Sequence, residues 1–192
     1  MVNPSKQFTL SKGEGLGMTL VVFLAATFLT GCGYSQKSLL PDNIKNIYVM
    51  PVKNTIDLSE EVTDKKPFRV YRPGIEVDIT NAIINRYIFD GNLKVSVPEK
   101  ADAIVEAKLV DYRRDALRYS DGDDIQEYRL SITLDISVYE SRTHKMIWHE
   151  TGLTGDTSFF LSGTHTVSED AASQKAVEDV ARRVVDKTIE IW

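Results

Sequence analysis

From Tyr128 to Val138 every other residue is apolar. Tyr128, Leu130, Ile132, Leu134, Ile136 and Val138 alternate with Arg129, Ser131, Thr133, Asp135 and Ser137. Side chains of a strand point to opposite faces in turn, so this stretch predicts a strand with one buried face and one wet face. A slip of one residue would drive Arg129 and Asp135 into the core, which fixes the register. A chain built around such a strand needs partner strands beside it and a layer over the apolar face.

The neighbouring sequence supplies both. Ala103, Val105, Ala107 and Leu109 line one side of an expected strand over 101–112. Residues 113–124 read as the tip of a hairpin, closed by Asp121-Gly122. Residues 141–145 turn the chain again, and 146–151 return as a strand anchored by Trp148. Residues 151–166, rich in Gly, Ser and Thr, read as a loop. Upstream, Ile47, Val49 and Val52 mark a first strand over 44–52, with Pro51 at its end or edge. A short strand over 93–97 stops at Pro98.

Two helices provide the cover. Ile75, Ile79, Ile83 and Tyr87 recur every four residues behind Pro73-Gly74, and Asp90-Gly91 ends that helix. A second helix opens with capping-box spacing between Thr166 and Glu169 and carries Ser173, Val177, Val180, Ala181, Val184, Thr188 and Ile191 on one face. Residues 54–72 are polar and aperiodic and read as a long surface loop in which Phe68, Val70 and Tyr71 alternate weakly. The expected fold class is α+β: a two-layer sandwich, two helices on one face of a mixed, mostly antiparallel sheet of four to five strands. The strand–helix–strand start suggests a right-handed crossover between parallel strands.

The N-terminus reads as an export signal. Lys6 and Lys12 precede an apolar run from Leu16 to Leu29, which closes on Leu29-Thr30-Gly31-Cys32. That tetrapeptide has the form of a bacterial lipobox, in which the cysteine becomes the first mature residue and carries acyl chains. Cys32 is the sole cysteine, so no internal disulfide competes for it. Gly33 follows rather than an inner-membrane-retaining Asp, which points to the outer membrane. The expected organisation is a signal peptide over 1–31, a lipidated tether over 32–43 and one domain over 44–192.

Charge and motifs narrow the chemistry. The net charge of −5 disfavours general nucleic-acid binding, which needs a basic face. His144, His149 and His165 lack metal-site spacing, and the acidic run Asp121, Asp123, Asp124 does not complete a calcium loop. No nucleophile elbow is present. Neither a cofactor nor an enzymatic activity is expected. One cluster stands out: Arg113, Arg114 and Arg118, with Arg129 on the wet face of the alternating strand. A guanidinium fork suits phosphate. Ion pairing with Asp111, Asp115 and Asp121 is the alternative role for the same arginines.

Taken in order, several segments resemble the LPS-assembly lipoprotein (LptE) family. They are Gly31-Cys32-Gly33-Tyr34, Leu40-Pro41, Ile44-Lys45-Asn46-Ile47-Tyr48-Val49, Asn54-Thr55, Pro73-Gly74-Ile75-Glu76 and Thr80-Asn81-Ala82-Ile83-Ile84. Leu93-Lys94-Val95, Ala101-Asp102-Ala103-Ile104, Glu127-Tyr128-Arg129-Leu130, the turn from Arg142 to Trp148 and the stretch from Ala176 to Ala181 continue the likeness. The sequence departs from that family in its longer 54–73 segment and in His144, where a turn glycine is usual. His144 would then adopt a left-handed backbone, at about 1 kcal/mol. The resemblance implies a non-enzymatic outer-membrane lipoprotein that plugs and helps assemble the LptD β-barrel, binds lipopolysaccharide and assists its delivery to the outer leaflet. It carries only Arg118 and its neighbours toward that ligand. The alternative is a lipid-anchored periplasmic scaffold or activator of another envelope machine, for cell-wall synthesis or secretion.

Overall fold

Short strands and a helix precede three long strands and a closing helix in the computed structural model, which describes residues 43–56, 72–164 and 166–190. In chain order these are β1 (Asn46–Val49), β2 (Lys53–Asn54), α1 (Ile75–Asp90), β3 (Lys94–Val95), β4 (Ala103–Tyr119), β5 (Ile125–Glu140), β6 (Met146–Phe160) and α2 (Glu169–Glu190), with one 3-10 turn at Pro98–Lys100. All lie in the compact unit Ser38–Trp192. The sheet runs β3-β1-β4-β5-β6, and β2 pairs separately with β4. Pairings of β1 with β3 and β4, and of β2 with β4, are parallel; β4–β5 and β5–β6 are antiparallel. The fold is therefore the expected α+β class, with a sixth short strand because the first strand breaks at Pro51 into β1 and β2.

The alternating stretch lies at the centre of the sheet. Leu134 faces Leu109 on one side and Leu153 on the other, and Val138 lies between Val105 and Trp148. Leu130, Ile132, Leu134, Ile136 and Val138 are fully buried, as are Val105, Ala107 and Leu109. Ser131 breaks the pattern: it is buried although it belongs to the polar set, flanked across the strands by Arg113 and Asp156.

Both helices contribute to this one core. Ile75, Ile79, Ile83 and Tyr87 of α1, and Ala176, Val180, Ala181 and Val184 of α2, are buried in the same cluster as the sheet residues. The helices also bond to each other. Buried Tyr87 donates its hydroxyl to Thr188 Oγ1 at 2.8 Å, and Thr188 in turn donates to the Val184 carbonyl at 2.7 Å. Burial pushes the Tyr87 hydroxyl pKa up, against the opposing bond to Thr188. Gly155 fixes how close α2 comes to β6: a Cβ built there would lie 2.3 Å from the Val180 backbone nitrogen.

Several expectations need correction. The strand after Met146 does not end near Thr151 but continues through Gly152 and Gly155 to Phe160, so the Gly/Ser/Thr-rich stretch is mostly edge strand. A register shift between Leu134 and Ile136 accommodates the change, with Gly152 at φ +75°. The cap of α2 is Ser168, whose Oγ accepts from the Ala171 N–H at 3.2 Å; Thr166 instead donates to the Gly163 carbonyl. The central hairpin closes over Ser120–Asp124, not over 113–124: Ser120 Oγ accepts from the Gly122 and Asp124 N–H groups. Asp123 rather than Gly122 takes the left-handed backbone there, at φ 63°. His144 does adopt a left-handed backbone, with φ 53°. The signal, Cys32, the tether up to residue 42, Phe68, Val70, Tyr71, His165, Ile191 and Trp192 lie outside the described residues.

Candidate functional site

Strand β4 carries all three candidate arginines within its length, below the hairpin tip. Alternation then divides them between the faces. Arg113 pairs across β5 with Ser131, and Arg118 with Glu127, on the polar face. Arg114 pairs with Leu130, whose side chain points to the helices.

Arg114 is a fastening between the two layers. Its guanidinium lies 2.6 Å from Glu169 Oε2, in the first turn of α2, and 4.6 Å from the centre of the Tyr128 ring. Its side chain is only 21% exposed. Two residues further down β4, the Tyr112 hydroxyl donates to Ser173 Oγ at 3.4 Å, and burial raises its pKa. Together these contacts fasten the start of α2 to the far half of the sheet.

The other two guanidiniums face solvent on a ladder of alternating charge. Arg113 contacts Asp115 at 2.9 Å, Arg118 contacts Glu127 at 3.7 Å, and Arg129 contacts Asp156 at 3.9 Å. Arg118, 61% exposed, also lies over the Phe160 ring at 5.6 Å. Arg118 and Arg129 do not face each other across the strands: Glu127 faces Arg118, and Asp115 faces Arg129. Asp115 is the one partner named in advance; Glu127, Glu169 and Asp156 were missed because they come from other strands and the helix. Exposed pairs of this kind contribute about 0–1 kcal/mol, so an incoming anion displaces the carboxylates at small cost. At the same end of the hairpin, Leu117, Tyr119 and Leu161 are exposed. The tip beyond is acidic, with Asp121, Asp123 and Asp124 all exposed. A face with two accessible arginines and neighbouring apolar side chains can take a ligand that combines phosphate with hydrocarbon.

His144 and His149 serve local structure. His149 Nδ1 lies 3.0 Å from Ser137 Oγ and 2.9 Å from the Ile136 carbonyl oxygen, and His144 occupies the β5–β6 turn. Among the described residues no group of three or more His, Cys, Asp or Glu is placed to hold a metal.

A solved structure shares the architecture. A Xanthomonas campestris protein superposes with a TM-score of 0.55 at 14% identity, over 78% of this chain and 85% of its own. A hypothetical protein from Chlamydia trachomatis gives 0.49 at 15% identity, over 77% and 97% of the two chains. Rare lipoprotein B from Shewanella oneidensis gives 0.42 at 12%, over 76% and 95%. The first of these supports the fold alone. A search of curated protein sequences finds no match. The family model for LptE, described as lipopolysaccharide-assembly, matches residues 44–188, from two residues before β1 to the last turn of α2. The chain therefore belongs to the LptE lipopolysaccharide-assembly family.

Proposed function

We propose that this protein is an outer-membrane lipoprotein, anchored through acylated Cys32, that plugs and helps assemble an LptD-type β-barrel and assists delivery of lipopolysaccharide to the outer leaflet. The observation that carries the reading is the family match over the whole folded region, 44–188. The lipobox at Leu29–Cys32 supports the anchor, and Gly33 supports the outer-membrane address. In this reading the protein works by binding, without a catalytic step. Among the described residues no helix is long and apolar enough to cross a membrane.

Lipopolysaccharide contact falls to the polar face of the β4–β5 hairpin. Arg113 and Arg118 offer guanidiniums to lipid A phosphates, and Leu117, Tyr119 and Leu161 offer apolar surface nearby. Arg114 supports that face from the other side of the sheet. In a protein of net negative charge the attraction must be local, and it weakens as salt screens it.

Two measurements test the reading. Extraction of the lipoprotein from membranes should bring down a large outer-membrane β-barrel; recovery of a different envelope machine would favour the scaffold alternative. The double reversal Arg113→Asp with Arg118→Asp should weaken lipopolysaccharide binding about tenfold or more and flatten its salt dependence, without loss of the barrel. Unchanged binding in that variant would remove this face from lipopolysaccharide recognition.

A further inference from the structure

The end of the fold opposite the hairpin tip gathers several features that the plug reading does not use. The described chain begins there. Asn43 donates its amide to Glu140 Oε1 at 3.5 Å, and the Lys45 carbonyl accepts from the Lys94 N–H at 2.9 Å. The last turn of α1 reaches the same end, since Gly91 caps it and Lys94 opens β3. That turn exposes two large apolar side chains, Ile88 at 62% and Phe89 at 81%, the latter the most exposed large apolar residue described. The Arg86 guanidinium lies over the Phe89 ring at 5.4 Å.

On the strands and turns of this end, exposed basic side chains outnumber exposed acidic ones. Lys45, Lys94, Arg142 and Lys145 are exposed. The nearby carboxylates are engaged: Asp102 accepts from the Lys45 and Asn46 N–H groups, Asp90 from the Asn92 amide, and Glu140 from the Thr143 hydroxyl. Exposed Glu99 and Glu190 are the carboxylates that remain.

We propose that this end, led by Ile88 and Phe89, rests on the phospholipid surface that holds the anchor. The proposal rests on the reading that Cys32 is acylated. Its basis is the length of the connecting chain and where it ends. Asn43 lies eleven positions after Cys32, a span of at most about 40 Å when fully extended. The fold is joined to the lipid by this short chain at the end that carries the apolar pair. Two apolar side chains would hold a free protein only weakly on a bilayer. Tethering turns that contact into an intramolecular one, at an effective concentration on the order of millimolar. Aromatic and basic side chains then sit where an interface favours them, the ring among the acyl boundary and the lysines at the headgroups.

The test uses full-length acylated protein carrying an environment-sensitive fluorophore on Phe89→Cys or, as the distal control, on Tyr119→Cys. Each is reconstituted into vesicles of phosphatidylethanolamine and phosphatidylglycerol containing a nitroxide-labelled lipid quencher. The expected result is quenching several-fold stronger at position 89 than at 119, reduced toward the control by adding Ile88→Asp. Equal quenching at both positions, or none at 89 in protein that floats with the vesicles, overturns the proposal. So does a label at 89 that leaves water only when a barrel protein is added, which would assign the pair to a protein contact. Failure of the protein to float at all overturns the anchor reading and this proposal with it.

Discussion

At the scale of the residue, the two arginines Arg114 and Arg118 show how far one strand can separate the surroundings of like side chains. They lie four positions apart on one strand, yet a bulge and the alternation of faces give them opposite surroundings. Arg114→Ala would leave Glu169 without its partner and remove a cation over Tyr128. The expected loss is about 1–2 kcal/mol, read as a lower denaturant midpoint. Arg118→Ala should stay within about 0.5 kcal/mol of the parent, because its pair is long and exposed. Equal losses would mean that the two share one environment. Asp102 offers a second case. Its Oδ2 accepts from the Lys45 N–H, the Asn46 N–H and the Asn46 amide at 3.0, 2.9 and 3.0 Å. The Lys45 bond leads in holding its pKa below the usual value, and partial burial opposes it. A carboxylate with a lowered folded pKa contributes stability at pH above its unfolded value near 3.9, and that contribution is lost as pH falls through the folded pKa. Asp102→Ala should therefore lower the melting temperature at neutral pH and narrow its gap to the parent below about pH 4. A gap that widens in acid would reverse the assigned sign.

At the scale of the element, what was legible depended on whether one segment carried its own signal. The strand from Tyr128, the stripe from Ile75 to Tyr87 and the α2 face were readable because burial imposes a period on consecutive residues. β6 was not. Its second half reads Gly-Leu-Thr-Gly-Asp-Thr-Ser-Phe-Phe, which by composition is a loop, and its extended form comes from pairing with β5. Propensity lost to tertiary context there. The arginine cluster failed for a related reason. Its residues are close in sequence, but their partners Glu127, Glu169 and Asp156 come from three other elements. Gly155 shows what the helix demands of that strand. A methyl group there would meet Val180 N, Cα and Cβ at 2.3–2.6 Å, and two of these are backbone atoms that cannot rotate away. Gly155→Ala should cost about 1–3 kcal/mol by forcing α2 off β6. Gly122→Ala, whose Cβ would meet only Ser120 Oγ at 3.8 Å, is the control and should cost far less. Comparable losses in thermal melts of the two variants would show that α2 does not sit this close in solution.

At the scale of the whole molecule, anchor and fold make separable contributions. Among the described residues the core cluster runs from Ile44 to Val185 around the sheet. The family match covers 44–188 and does not include the lipobox. Stability and ligand recognition should then belong to the folded region, and membrane residence to Cys32. A soluble version that starts at Asn43 should keep its melting temperature within the small shifts typical of surface changes, and should bind lipopolysaccharide as the full chain does. In the full chain, Cys32→Ser should leave an uncleaved precursor that carries no acyl chains. That precursor should fold, because the mutated position lies eleven residues before Asn43. Its defect should appear in the cell as loss of normal outer-membrane fractionation, and in vitro as loss of acylation by mass. Fractionation and acylation like those of the parent in Cys32→Ser would remove the lipoprotein reading while leaving family membership intact. A soluble domain that fails to fold would show instead that residues before Asn43 complete the core.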